Sequence, residues 1–486
     1  MTSNEIRQRF LDFFEKPENG GHKILPSSSL VPEGDISVLF TTAGMQQFKP
    51  YYLAPENAIK DFGTKNVATV QKCVRTGDIE EVGDATHLSF FEMLGNFSFG
   101  GYGRREAITY AYDFITKEMG LKISYVTYYK GEGVVPADIE SKNIWAGLDS
   151  NLEIREDGAD VFWGPTGLNG PCGPTTEIYC KNADGVDVEI WNIVFNEYFC
   201  DGSREQLDKG EANLKKLDVL GIDTGMGLER LVTIVQQKQT VYDTDLFNGE
   251  KTKDERIVAD HIRSAVFMIS DGALPANTGS GYVLRRLIRR AVRFSNKPLD
   301  EKIKWVGDYY GHFYKLDDKG EIKKEEERFR KTLESGLKEF EKGIDPFILA
   351  TTYGFPIELT QELAQEKGIV IDMDDFNTKM AEHQKLSQTA SAGMFKGGLA
   401  NHNEQTIKLH TAHHLLLAAL QQVLGKSVKQ RGSNITEERL RIDFIFDRKM
   451  TDEEKKQVED IVNEKIGAGL AVVRKEMPLV EAEKLG

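Results

Sequence analysis

The chain has 486 residues, 40% of them hydrophobic and 29% charged, which is length enough for two to four domains with real cores. A formal net charge of −15 excludes an overall basic coat, so any nucleic-acid contact must use a local basic patch. The longest apolar run, Leu415 to Leu420, is far too short to span a bilayer, Met1 to Phe10 lacks a signal peptide's apolar segment, and Cys73, Cys172, Cys180 and Cys200 show no paired spacing; the expectation is a cytoplasmic protein with reduced thiols and no membrane partner.

Thr2 and Glu5 have capping-box spacing, and Ile6, Phe10, Phe13 and Phe14 share one face, which predicts an amphipathic helix over Thr2 to Phe14. Lys23 to Pro32 breaks it, and Ser37 to Thr41 is a candidate strand. Val67 to Val74 reads as a β-segment leading into Arg75, followed by a polar loop, Thr76 to Thr86. The chain returns through Leu88 to Leu94 and ends in turns at Gly95, Gly100, Gly101 and Gly103. Apolar segments around such a loop predict a long antiparallel hairpin. Arg75 offers a fork of donors to a phosphate or carboxylate, and Phe90 and Phe91 offer faces on which a purine could stack. The pattern fits an ordinary hairpin with a surface Arg and two core Phe equally well.

A helix is predicted over Glu106 to Met119. Asp160 to Tyr179 (DVFWGPTGLNGPCGPTTEIY), dense in Gly and Pro, is expected to be neither helix nor central strand. Val188 to Phe199 alternates like a strand and sets Asn192 among apolar neighbours, where it needs a partner from the fold or from a ligand. Asp218 to Gln237 reads as a strand, then glycines, then a helix from about Leu228. Gly225 and Gly227 let backbone approach a ligand closely, and Arg230 opens the helix. No P-loop GxxxxGK[ST] occurs anywhere.

Residues from about 246 to 395 follow helical patterns. Over Gly281 to Phe294, at about 100° per residue, Arg285, Arg286, Arg289, Arg290 and Arg293 share one arc opposite Leu284, Leu287, Ile288, Ala291 and Val292. Five arginines without an acid predict a basic face for RNA backbone, the alternative being a solvated charged face. A second helix, with Phe329, Leu333, Leu337 and Phe340 on one side, reads as structural. Gly393 to Thr406 reads as a glycine-rich linker. His410 to Gly425 reads as a helix carrying His410 and His414 on one face, a pair that can ligate zinc, although paired helical histidines are more often unliganded.

The hairpin stretch resembles motif 2 of the class II aminoacyl-tRNA synthetases, and FFEMLGNFSFG is similar to the form found in alanyl-tRNA synthetases. The resemblance implies that Arg75 holds the ATP α-phosphate and the amino-acid carboxylate, and that Phe90 faces adenine. Ser37 to Tyr52 resembles motif 1, which implies a homodimer contact. Asp223 matches the motif 3 Asp, and with Asn192 of EIWN it would hold the alanine ammonium. Trp163 of FWGPTG would wall the pocket, with Gly225, Gly227 and Arg230 on the ATP. Arg256 to Gly272 and PANTGSGYVLRR resemble the family's tRNA-recognition domain. There Asn277 and Glu358, the latter in place of the better-known Asp, would read a G·U wobble pair in the acceptor stem. His410 and His414 resemble the HxxxH of the editing domains, with ERLRIDF (Glu438 to Phe444) following. The preceding β-barrel is missing, as in compact members. The chain stops before the Cys and His that complete the family's zinc site, so the expectation is a partial Zn²⁺ site in a truncated editing domain.

The implied fold is α+β. A class II antiparallel sheet with flanking helices would occupy residues 1–245, a mostly α-helical tRNA-recognition domain 246–395, and a partial α+β editing domain 396–486. The implied activity is that of an alanine–tRNA ligase. ATP, with Mg²⁺, and alanine give alanyl-adenylate, and alanine then moves to the 3′ end of tRNA(Ala), with editing of Ser-tRNA(Ala) impaired. Two alternatives differ in kind. A synthetase-like RNA-binding protein that had lost catalysis would be expected to lose Arg75, Asp223 or Arg230, and all are present. A mischarged-tRNA deacylase fragment would not need residues 1–245.

Overall fold

The computed structural model describes residues 1–32, 38–77, 79–133, 135–158, 161–392, 404–426, 428–435, 440–444, 446, 448 and 450–470. Among these, a nine-stranded sheet carries the first half of the chain: β1 (Lys23–Ile24), β2 (Asn66–Val74), β3 (Phe90–Phe99), β4 (Ile123–Tyr129), β5 (Glu153–Asp157), β6 (Phe162–Trp163), β7 (Gly170–Lys181), β8 (Asp187–Cys200) and β9 (Leu214–Gly227). Their order is β1-β2-β3-β9-β8-β7-β4-β5, with β6 on β7. The centre is antiparallel, as expected, and one parallel pair closes each edge, β1 with β2 and β4 with β5.

The N-terminal helix Ser3–Glu15 is capped by Thr2, with the reciprocal Glu5 contact in place. It buries Ile6, Phe10, Phe13 and Phe14. Phe10 and Phe14 meet Phe114 and Trp191 on the sheet face that β8 turns away from Asn192. The predicted helix from Glu106 is Arg104–Asp113 continued by a π turn, Phe114–Glu118. Residues 38–41 of the candidate strand are irregular, tied by Thr41 N to Leu30 O at 2.9 Å; Ser37 lies outside the described residues.

Two readings of glycine are corrected. Gly95 lies within β3 rather than in a turn, paired with Thr69 of β2, and the position takes glycine because a Cβ there would sit 2.9 Å from Thr224 O on the neighbouring strand. The Gly- and Pro-rich stretch holds a central strand after all, since β7 runs between β8 and β4. The ladder to β8 shifts register between Cys172 and Thr175, so Gly173 and Pro174 fall where regular pairing is interrupted. A Cβ on Gly173 would come within 1.8 Å of Phe195 O, so only glycine lets β8 approach there.

Contacts divide the chain into Met1–Ile369 and Val370–Gly486, so the helices after residue 245 pack with the sheet as far as Ile369. Helix Lys253–Ser270 is buried on every side from Ile257 to Ile269. The five-arginine helix, Gly279–Phe294, does not present the expected open basic face. Arg286 pairs with Glu80, Arg289 with Glu325, Arg290 with Glu362, and Arg293 with Glu362 and Glu366. Neighbouring elements supply the acids that the helix lacks, so these four guanidinium groups neutralise carboxylates within the chain. Arg285 instead donates to Asn277 Oδ1.

The second unit contains helices Met373–Ala392, Glu404–Leu424 and Asp452–Gly467 and the hairpin β10 (Gln430–Ile435) and β11 (Leu440–Phe444) around Ala419, Leu420, Val428 and Val458. The linker expected from Gly393 lies outside the described residues as far as 403, and so do residues 438 and 439 of ERLRIDF.

Arg290 is 4% exposed and donates from Nε to Glu362 Oε1 at 2.6 Å. Truncating Arg290 removes this bond and the one to His261 Nε2, and leaves the poorly solvated Glu362 to Arg293 alone. Arg290→Ala is therefore expected to lose about 3 kcal/mol. Lys304→Ala, in an exposed pair with Asp308, is expected to change stability by less than about 0.5 kcal/mol. Urea midpoints of the full chain compare the two.

Candidate active site

Strand pairing decides what shares a face. Opposite residues are Glu177 and Asn192, Asn192 and Gly225, Val194 and Asp223, and Met93 and Gly227. With a period of two, these side chains and Phe91 point to one side of the sheet. They floor a cleft of about 370 Å³. Gly225 keeps the floor low, because a Cβ there would stand 2.9 Å from Met93 Sδ. Helix Leu228–Val235 begins at Gly227, and Gly227 and Arg230 line that end of the cleft.

At one end the cleft is short of cations. Asp223 is 5% exposed, and burial pushes its carboxyl from the ordinary 3.8 up to about 8. Asn192 Nδ2 donates to Glu177 Oε1 at 3.1 Å, while Glu177 Oε2 accepts from Tyr179 OH at 2.9 Å. With its N–H side committed to Glu177, the Asn192 amide leaves Oδ1 buried without a partner among the described residues. A carboxyl and an amide oxygen, both desolvated and facing one space, match an ammonium with three N–H donors.

At the rim sit two exposed guanidinium groups. Arg75 donates from Nε to Thr42 O at 3.2 Å, and its guanidinium lies 5.0 Å from the centre of the Phe91 ring. Arg230 donates to Glu189 Oε2 at 2.9 Å and to Glu189 O at 3.2 Å. Ala85, Thr86, His87 and Leu88 from the β2–β3 loop, together with Trp163, close the sides.

Beneath the floor runs a buried ion network. Glu229 accepts from Glu92 N at 3.1 Å and from Arg263 Nη1 at 3.3 Å, and Arg7 Nε donates to Glu92 Oε1 at 2.8 Å. Burial raises the Glu229 carboxyl, opposed by the charge of Arg263.

The structure thus gathers Arg75, Trp163, Asn192, Asp223, Gly225, Gly227 and Arg230 in one cleft. Phe90 is a correction. It is fully buried and stacks on Phe267 at 4.1 Å, because neighbouring residues of a strand face opposite ways; Phe91 lines the cleft. Glu177 went unread in the sequence, since its role exists only through the β7–β8 register. Asn277 and Glu358 come together elsewhere, around the start of the arginine helix. Asn277 accepts from Arg285, and Glu358 Oε2 accepts from Tyr282 OH at 2.8 Å. In the second unit the His410 and His414 rings lie 4.9 Å apart, and among the described residues no group of three or more His, Cys, Asp or Glu could hold a metal.

Residues 5–459 match the family model for tRNA synthetases class II (A). The alanine–tRNA ligase of Borreliella afzelii is 42% identical over 100% of this chain and 90% of its own length. That of Treponema denticola is 42% identical over 100% and 89%. That of Dehalococcoides mccartyi (strain BAV1) is 33% identical over 100% and 73%. The chain belongs to the alanine–tRNA ligase family of class II synthetases. Among solved structures, a threonyl-tRNA synthetase RNA-binding domain from Cryptosporidium parvum aligns at TM-score 0.32 and 9% identity over 48% of this chain and 64% of that one, a likeness too low to bear on the site.

The Asp223 carboxyl gives this class II cleft a pH signature. A raised folded-state value means that the folded chain holds more protons than the unfolded one between pH 3.8 and about 8. The Asp223 contribution to stability is then greatest below that window and is lost as pH rises through it. Urea midpoints of the unliganded chain are expected to fall with pH more steeply than those of Asp223→Asn. Equal slopes would place the titration elsewhere.

Proposed function

We propose that the chain activates alanine with ATP and transfers it to the 3′ end of tRNA(Ala). The observation that carries this reading is the desolvated oxygen pair of Asp223 and Asn192, set in the same cleft as Arg75 and Arg230. The pair takes the alanine ammonium, and Asp223 gives up its proton as the cation arrives. Trp163 walls the small space left for a methyl group. Arg75 bridges the alanine carboxylate and the ATP α-phosphate, and a carboxylate oxygen attacks phosphorus as pyrophosphate leaves. Arg230, Gly225 and Gly227 border the triphosphate, and the Phe91 ring, beside Arg75, is the face offered to adenine. The tRNA 3′-terminal hydroxyl then attacks the carbonyl carbon and AMP leaves. Catalysis here is placement and neutralisation of developing charge.

Glu189, beside Arg230 at the triphosphate border, is the cleft carboxylate that would hold the Mg²⁺ accompanying ATP. When bound, Mg²⁺ withdraws charge from the phosphate oxygens.

For tRNA(Ala), Asn277 and Glu358 are the readers of the G·U pair, supported by their anchorage on one helix, Asn277 through Arg285 and Glu358 through Tyr282 and Arg286. Of the five arginines, Arg285 is the one proposed to contact RNA. His410 and His414 are proposed as two ligands of a Zn²⁺ site in the second unit. In the motif 1 run, Met45, Phe48 and Tyr52 pack into the chain's own core, so a homodimer through this region would use the exposed Leu39 and Leu53. The proposed location is the cytoplasm.

Alanine-dependent ATP–pyrophosphate exchange tests the reading. Arg75→Ala is expected to lower kcat/KM by about 10²-fold or more; near-normal exchange in a folded variant would overturn the assignment. Asn192→Ala, and Glu177→Ala through loss of the amide's anchor, are expected to raise KM for alanine more than KM for ATP. Equal increases would remove both from the ammonium site.

A further inference from the structure

The loop between β2 and β3 is held from behind by the helices. Ile79 and Val82 are fully buried. Gly83, at φ +110°, lies so close to helix Lys253–Ser270 that a Cβ would meet Lys253 Cγ at 2.8 Å. Arg256 Nη1 donates to Asp84 O at 3.4 Å, and Val241 N to Ala85 O at 3.2 Å. The same loop then runs through Ala85, Thr86 and His87 along the cleft. Its outer bend is tied to the arginine helix twice. The Glu80 carboxylate accepts from Arg286 Nη2, and the Glu80 carbonyl accepts from Arg290 Nη2 at 3.4 Å.

Arg286 has a second carboxylate. Its Nη1 lies 3.7 Å from Glu358 Oε1, and the Arg286 side chain is 13% exposed, so one poorly solvated guanidinium spans the loop and the carboxylate assigned to the acceptor stem. Arg290, one turn along, is held by Glu362 and by His261 Nε2 at 2.8 Å, which leaves Arg286 as the shared group.

We propose that Arg286 is a positioning residue that couples acceptor-stem recognition to the ATP end of the cleft. The inference rests on the reading of Glu358 and of the cleft given above. Without RNA, Arg286 divides its charge between Glu80 and Glu358. In a G·U pair the guanine amino group has no partner across the pair, so from the stem's minor groove it donates to Glu358 and takes over part of that carboxylate; in a G·C pair cytosine engages it. Arg286 then bonds more fully to Glu80 and holds the loop against the bound nucleotide. Coupling between binding sites is reciprocal, so the RNA that tightens ATP is itself tightened by ATP to the same degree.

The test is equilibrium binding of ATP to the full chain, with and without an RNA hairpin reproducing the tRNA(Ala) acceptor stem. The hairpin with the G·U pair is expected to lower the ATP Kd by about 5-fold or more, within the usual range of coupling, and the hairpin with a G·C pair in its place to leave it unchanged. Glu80→Gln and Arg286→Lys are each expected to abolish the tightening, and the double variant to lose no more than either single one. A purely structural role would lower Tm in these variants and leave the tightening intact, and that result overturns the proposal. So does a wild-type chain that binds the G·U hairpin and shows normal exchange but no tightening of ATP. Loss of alanine-dependent exchange in the wild type would instead overturn the functional reading and the coupling with it. A G·U hairpin that fails to bind would remove Asn277 and Glu358 from recognition, and the coupling with them.

Discussion

Register across β3, β9, β8 and β7 is the constraint on which the site depends. Asn192 stands opposite both Glu177 and Gly225, and Asp223 opposite Val194, so two oxygens and their anchor share one face above low glycine ground. Because side chains alternate, a slip of one residue in any of these pairings would send that strand's contribution to the opposite face, among Phe10, Phe14 and Trp191. The close approaches at Gly95, Gly173 and Gly225 discourage such slips, since each would bring a side chain against a neighbouring strand or against Met93.

That arrangement sets stability against function. Burial desolvates the Asp223 carboxyl, and the Asn192 Oδ1 is buried without a partner among the described residues; desolvating such groups is unfavourable until a ligand arrives. The charges beneath the floor are paired by comparison, Arg7 with Glu92 and Arg263 with Glu229, with Tyr314 OH donating to Glu92 at 2.7 Å and Arg263 donating to Tyr310 OH at 3.1 Å, although Arg263 Nε has no partner among the described residues. The floor is thus held by paired charges, while the Asn192 amide oxygen and the Asp223 carboxyl open onto the cleft.

Charge on the helices obeys the same economy. A helix with five arginines inside an acidic chain looks like an RNA surface when read alone. In the fold, four of those arginines meet acids from the β2–β3 loop and from helices Glu321–Glu341 and Ile357–Glu366. The helix therefore joins the loop over the cleft to the helix bearing Glu358, and binds the first unit together.

Local order was legible in the sequence. The Thr2 cap, the β2–β3 hairpin, the strand at Asn192 and the change from strand to helix at Gly227 follow from capping chemistry, alternation and glycine placement, all properties of neighbouring residues. The family resemblance lay in those same stretches, and with it Arg75, Asn192, Asp223 and Arg230. What the tertiary structure alone decided depends on residues distant in the chain. Phe91 rather than Phe90 faces the cleft because Phe267 claims the other side of β3. Asp160 to Tyr179 contributes a central strand because Gly173 lets Phe195 come close. Glu177 orients Asn192 only through strand pairing, and the arginine face closes only when Glu80, Glu325, Glu362 and Glu366 fold onto it. Periodicity shows which residues share a face, but what covers that face is decided by long-range packing.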